Sequence, residues 1–99
     1  MKGHRLENAV ALELLRRGME PCYAAEKDSW ECDFIAQDSA IQVCWRLTEE
    51  NKSREIRGLL EAKTQARVKR LLILTLDQKQ KLSQTGETIE VLPAWEWLG

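Results

Sequence analysis

The segment RLLILTL, from Arg70 to Leu76, is a continuous apolar run of strand length. Such a run indicates a strand buried on both faces, which is typical of sheets that carry helices on both sides. Apolar residues at helical spacing precede it, between about Thr48 and Ala66. A helix that links two strands favours a mixed sheet with helices packed on it, and 99 residues suffice for one such domain.

The remaining patterns place the other elements along the chain. We expect a first helix from about Arg5 to Arg17, ended by Gly18, and a second helix that Thr48 can cap. A short terminal helix, AWEWL, should follow Pro93. The expected strands cover residues 21–24, 30–36, 40–47, 70–76 and 88–92. The predicted order is α-β-β-β-α-β-β-α in a single α/β domain, residues 1–99.

Charge and cysteine content argue against several classes of protein. A formal net charge of -1 gives no composition-level reason to expect nucleic acid or a membrane surface. No apolar run approaches the roughly 20 residues of a membrane span, and the N-terminus lacks a signal-peptide core, so the cytoplasm is the expected location. Cys22, Cys32 and Cys44 form no C-x-x-C pair, which argues against a zinc site.

The sequence from Trp30 to Trp45, WECDFIAQDSAIQVCW, predicts a hairpin with a turn at Gln37-Asp38-Ser39. Residues that pair directly in such a hairpin point to the same side. With a two- or four-residue loop, Asp33 shares a face with Gln42 and Cys44. That polar face also carries Glu31, Ile35 and Arg46, and the opposite apolar face carries Trp30, Cys32, Phe34, Ala36, Ile41, Val43, Trp45 and Leu47.

Glu7 lies in the middle of an apolar arc on the first helix, whereas Glu13 lies outside it. The arc consists of Leu6, Val10, Ala11, Leu14 and Leu15. A buried carboxylate without a partner would cost several kcal/mol. Glu7 is therefore expected either to pair with an arginine or to face the same pocket as Asp33.

An acidic helix, an aspartate on the second strand and an acid-x-lysine position on the third, in an αβββαβ order, resemble the PD-(D/E)XK nuclease superfamily. More narrowly, the chain is similar to a domain of unknown function at the C-terminus of prokaryotic AAA-type ATPases. The segments that carry this similarity are GHRLENAVALELLRRG, ECDFIAQDSAIQVCW, REIRGLL and EVLPAWEWL. The resemblance implies a restriction-endonuclease-like core and a parent protein with a fused ATPase domain. The chain itself has no G-x-x-x-x-G-K-[ST] motif to cradle ATP phosphates.

The resemblance also implies catalytic roles for four residues. Glu7 takes the place of the helix acid and Asp33 that of the principal metal ligand, while Gln42 stands at the second acid and Cys44 at the lysine. Magnesium or manganese would be the metal of an active enzyme. Gln42 offers it only a neutral oxygen, and Cys44 is a poor magnesium ligand. Losing the lysine would cost on the order of 10²–10³-fold in rate, unless a displaced cation replaces it. The candidate cations are Arg46, Lys27 and Arg54.

These substitutions predict a degenerate nuclease-like domain that needs no cofactor. It would act as a binding or regulatory module of an AAA-type ATPase, contacting DNA or protein through the face of Glu7, Asp33 and Gln42. The alternative is an active magnesium- or manganese-dependent nuclease with a migrated cation. A third possibility is a self-association domain without a polar ligand.

Two further features have both a structural and a functional interpretation. The basic run RVKR, residues 67–70, is expected to be a solvated loop. As a phosphate-binding patch it would need Arg16 and Arg17 beside it. Trp95 and Trp97 are expected to pack the terminal helix on the sheet, although one of them is a candidate for an exposed interface anchor.

Overall fold

The computed structural model describes residues 2–20, 22–27 and 29–98, which form a six-stranded mixed sheet with three helices. Pro21 and Asp28, in the expected first strand and the turn after it, lie outside the described residues. The elements are α1 (Lys2–Arg16), β1 (Cys22–Glu26), β2 (Trp30–Ala36), β3 (Ser39–Val43), α2 (Lys52–Gln65), β4 (Arg70–Thr75), β5 (Gln80–Gln84), β6 (Glu87–Pro93) and α3 (Ala94–Leu98).

The strand order in the sheet is β1-β2-β3-β4-β6-β5. The pairs β1–β2, β2–β3 and β5–β6 are antiparallel, whereas β3–β4 and β4–β6 are parallel. Two connections allow the parallel pairs. The helix α2 returns the chain from the end of β3 to the start of β4, and β5 returns it from the end of β4 to the start of β6. The expectation of a mixed sheet flanked by helices is confirmed.

Both faces of the sheet carry an apolar core, and β4 contributes to each. Leu71 and Ile73 belong to the core beneath α2, whereas Leu72 and Leu74 belong to the core beneath α1 and α3. All four side chains are at most 3% exposed. This burial on both faces is what the continuous apolar run predicts, because neither set of alternate side chains meets water.

The end of α1 confirms the role expected of Gly18. Gly18 adopts a φ of +78°, a left-handed conformation that favours glycine. The Met19 N–H donates to the Leu14 carbonyl and the Gly18 N–H to the Leu15 carbonyl. These two bonds form a Schellman motif, which satisfies carbonyl groups that would otherwise lack partners at the helix end.

The buried stripe of α1 differs from the expected arc at two positions. Glu13 is 8% exposed although it was expected outside the arc, and Leu15 is 58% exposed although it was expected inside. Glu13 can be buried because Arg16 and Arg17 both donate to its carboxylate. These hydrogen bonds lower the pKa of Glu13 to about 2, so the side chain stays ionised and paired.

Two expected boundaries are corrected by the hydrogen bonds around them. β3 ends at Val43 rather than at residue 47, because the Leu47 N–H and carbonyl both bond the Gln78 side-chain amide. The second helix begins at Lys52, and its N-cap is Asn51 rather than the expected Thr48. The Thr48 N–H donates to Asn51 Oδ1 and the Asn51 N–H to Thr48 Oγ1, which forms a turn before the helix. The sequence prediction also missed β5.

The two tryptophans of α3 differ, because one packs against the core and the other is exposed. Trp97 packs against the core beneath α1 and α3. The Arg17 guanidinium lies 4.2 Å from the centre of the Trp97 ring and donates to the Trp97 carbonyl oxygen. Trp95 is 66% exposed. No helix in the described part of the chain is long and apolar enough to cross a membrane.

Candidate functional site

A β-bulge in β2 interrupts the expected alternation of faces. Ala24 of β1 pairs with Cys32, but Cys22 pairs with Ile35, so β2 contains one extra residue between these pairs. As a result Cys32 lies in the core beneath α2, whereas Phe34 lies in the core beneath α1. The prediction that all even-numbered residues of β2 share one face is therefore wrong.

The register beyond the bulge agrees with the parity argument. The pairs Phe34↔Ile41, Ile35↔Ala40 and Ala36↔Ser39 leave a two-residue turn, Gln37-Asp38. Continued by one step, this register sets Asp33 opposite Gln42. The two residues are in direct contact, because the Asp33 N–H donates to Gln42 Oε1 at 2.9 Å.

The Gln42 amide connects three elements of the fold. Its Oε1 accepts the Asp33 N–H, and its Nε2 donates to the carbonyl oxygens of Glu31 at 2.8 Å and Glu55 at 3.1 Å. Glu31 and Asp33 lie on β2, Gln42 on β3 and Glu55 on α2. The side chain is 2% exposed. Gln42 therefore supplies the hydrogen bonds that the bulged hairpin backbone does not make for itself.

Gly58 allows α2 to approach this network closely. A Cβ atom added at Gly58 would overlap the backbone oxygen of Glu31 and the Nε2 atom of Gln42. Neither atom can easily move aside, because the Glu31 oxygen belongs to the backbone and Gln42 Nε2 is held by two hydrogen bonds. The contact between helix and hairpin thus requires glycine at this position.

Asp33 lies where β2 and β3 separate, and its side chain is half-buried. Its Oδ2 accepts the Val43 N–H at 2.8 Å. The pKa of Asp33 is raised to about 6, mainly by burial, against the hydrogen bond from Val43. The negative charges of Glu7 and Glu31 contribute to this rise, and the positive charge of Arg54 opposes it. Glu7, itself half-buried on α1, is therefore near enough for its charge to act on Asp33.

Glu55 is a site residue that the sequence prediction missed. It is 8% exposed on α2, and burial followed by the charge of Asp33 raises its pKa to about 7. Arg54 opposes this rise, with Nη2 at 3.5 Å from Glu55 Oε1. The available signal was helical spacing, since Glu55 precedes the buried Leu59 and Ala62 by four and seven residues.

Cys44 lies immediately after β3 and is 9% exposed. Burial raises the pKa of its thiol to about 12, and the charges of Glu55 and Asp33 act in the same direction. Cys44 is therefore a neutral thiol at physiological pH. It provides neither the positive charge of a lysine nor a thiolate ligand.

The donor atoms here do not fit a magnesium site. Magnesium takes oxygen ligands in near-octahedral geometry, and carboxylates supply the charge. Gln42 Oε1 and Asp33 Oδ2 already accept backbone N–H groups, and Cys44 is a neutral thiol. Within residues 2–20, 22–27 and 29–98, no group of three or more His, Cys, Asp and Glu side chains could hold a metal ion.

Comparison of the sequence with known proteins identifies one relative. An uncharacterised protein of Methanocaldococcus jannaschii is 34% identical to the chain over 108 residues. The match covers 97% of this chain and 24% of that protein, so the chain spans about a quarter of the relative's length. No family model matches the chain. No solved structure matches it.

The free energy of unfolding is expected to fall as pH rises from about 4 to about 7. The folded pKa values of Asp33 and Glu55, about 6 and about 7, exceed the ordinary values of 3.8 and 4.5 that apply to the unfolded chain. The folded state therefore holds more protons than the unfolded state in this window, so raising the pH favours unfolding. The decrease in the free energy of unfolding should be on the order of 2–3 kcal/mol. This is less than two independent groups with these pKa shifts would give, because the two groups are coupled and partly solvated.

Urea denaturation at several pH values measures this dependence. Glu55→Gln should flatten the pH profile, whereas Glu49→Gln, at an exposed position, should leave it unchanged. Glu13 acts in the opposite direction only below about pH 4.5, because its folded pKa is lowered to about 2. Identical profiles for the wild type and Glu55→Gln would contradict the assignment.

Proposed function

We propose that this chain is a degenerate PD-(D/E)XK nuclease-like domain that binds a partner and does not cut nucleic acid. The order α1-β1-β2-β3-α2-β4, with β1 to β3 antiparallel and β4 parallel to β3, is compatible with a restriction-endonuclease-like αβββαβ core. Asp33 and Gln42 lie side by side, as the resemblance requires of the first ligand and the second acid.

This proposal rests on the hydrogen bonds that the Gln42 amide makes with the backbone. An active enzyme of this type needs a carboxylate there, free to bind a metal ion. Gln42 instead accepts from one backbone N–H and donates to two backbone carbonyls. Its position therefore serves the fold, and Cys44 adds no positive charge to stabilise a transition state.

The charges around this site favour a protein partner over nucleic acid. The pKa of the Tyr23 hydroxyl is raised by its hydrogen bond to Glu31, by burial, and by the negative charges of Glu31, Asp33 and Glu7, which places these three carboxylates near one another. A cluster of negative charge repels phosphates and attracts a basic protein surface. As the resemblance implies, that surface would belong to an AAA-type ATPase.

A cleavage assay tests the proposal. The wild type and Asp33→Ala should be incubated with single- and double-stranded DNA and RNA in magnesium and in manganese. We expect no cleavage above background by either protein. Metal-dependent cleavage by the wild type that disappears in Asp33→Ala would overturn the proposal.

The second candidate function is an active nuclease with a migrated cation, and the position of Arg54 favours it. All three candidate cations are exposed, but Arg54 lies against Glu55 and lowers the pKa of Asp33. Glu55 would then be the relocated second acid. This function requires cleavage by the wild type and its loss in Arg54→Gln.

A further inference from the structure

A cavity of about 150 Å³ lies at the other end of β3 from Asp33. Its floor is apolar and consists of Leu14, Ile41 and Leu72, each at most 2% exposed. Ser39, which lines it, begins β3 three residues before Gln42, or roughly 10 Å along the strand. The cavity is therefore separate from the acidic site.

Arg17 enters the lining of this cavity from the end of α1 in a fixed orientation. Its Nε donates to Glu13 Oε2 at 2.6 Å, and its Nη2 donates to the Trp97 carbonyl at 2.7 Å. Its guanidinium also lies 4.2 Å from the centre of the Trp97 ring. A guanidinium has five N–H donors, so N–H groups remain for a ligand.

Arg70 lines the same cavity from the start of β4. Its only ion pair among the described residues joins Nη2 to Glu90 Oε1 at 3.2 Å. As a phosphate-binding patch, the basic run that contains Arg70 would need Arg16 and Arg17 beside it, and of these two the fold brings Arg17 to the same cavity. The lining also includes the hydroxyl of Ser39 and one acidic residue, the exposed Asp38.

We propose that this cavity binds a small organic anion. The carboxylate or phosphate oxygens of the ligand lie between Arg17 and Arg70, because guanidinium groups match both oxyanions with paired hydrogen bonds. The apolar body of the ligand packs on Leu14, Ile41 and Leu72. A cavity of about 150 Å³ accommodates a ring the size of benzene, which sets the size of that body.

Isothermal titration of the full chain with phenyl phosphate, benzoate and inorganic phosphate tests this site. We expect saturable binding of phenyl phosphate or benzoate, and the tighter of the two identifies the preferred head group. Arg70→Gln should weaken that binding about tenfold or more, because it removes a charged donor from the site. Arg57→Gln is the matched control, since Arg57 is exposed on α2 and bonds Ser29.

Three outcomes would overturn the proposal. The first is the absence of saturable binding for all three probes, and the second is unchanged affinity in Arg70→Gln. The third is inorganic phosphate binding as tightly as phenyl phosphate, because the apolar floor would then contribute nothing. Since Arg70 lies away from Asp33 and Gln42, these results are independent of the cleavage assay.

Discussion

Gln42→Glu is expected to destabilise the fold by about 3–5 kcal/mol, although it restores the acid that an active nuclease would carry. In the wild type, Gln42 Nε2 donates to the carbonyl oxygens of Glu31 and Glu55. A glutamate would set a negatively charged oxygen against both acceptors. It would also add a buried charge beside Asp33 and Glu55, which already share a poorly solvated site. Urea denaturation at neutral pH measures the loss.

Two comparisons separate charge from the loss of hydrogen bonds. Gln42→Met removes the amide without adding charge and should cost less, about 1–3 kcal/mol. Acidification should reduce the cost of Gln42→Glu, because a protonated carboxyl group regains one O–H donor. A Gln42→Glu protein as stable as the wild type at neutral pH would show that the amide is not essential to the fold.

Gly58→Ala is expected to cost about 3 kcal/mol or more, or to prevent folding. The added Cβ would overlap the Glu31 backbone oxygen and Gln42 Nε2, so α2 would have to move away from β2. Helix propensity predicts the opposite sign, because alanine is favoured over glycine in a helix by about 1 kcal/mol. Steric overlap and propensity are therefore distinguished by the direction of the change in stability.

Urea denaturation and near-ultraviolet circular dichroism test this prediction. Ser53→Ala, at an exposed position on α2, is the matched control and should be neutral or slightly stabilising. A Gly58→Ala protein at least as stable as the wild type would show that α2 does not approach β2 as closely as the structure indicates.

Local patterns in the sequence predicted much of the fold. The run from Arg70 to Leu76 predicted a strand buried on both faces, because apolar residues fill both sets of alternate positions. Gly18 predicted the end of α1, because glycine readily adopts the left-handed conformation found there. Hairpin parity predicted that Asp33 and Gln42 share a face, and the two strands meet there because the two-residue turn fixes the register.

The sequence could not predict the features that depend on contacts between distant segments. A bulge reverses the faces of β2 before Phe34, and no turn residue marks it. β5 is short and mostly polar, and its main signal is the turn Thr85-Gly86, where both residues have positive φ. Glu55 became a candidate only when α2 was found to bury it near Asp33.

The structural role of Gln42 was not visible in the sequence. The resemblance implies only that an amide stands where a nuclease carries a carboxylate, and an amide offers a metal ion only a neutral oxygen. The sequence could not show that all three polar contacts of the amide are made with backbone atoms of β2 and α2. Those contacts depend on the bulge and on Gly58, which are properties of the assembled fold.

Manganese binding tests the central claim most directly, because it examines the site without assuming a substrate. Electron paramagnetic resonance measures the free manganese that remains as wild-type protein is added, with Asp33→Asn as the control. We expect that the wild type and Asp33→Asn bind no stoichiometric manganese at millimolar concentrations. One equivalent bound by the wild type and lost in Asp33→Asn would contradict it, and would favour an active nuclease with Arg54 as the migrated cation.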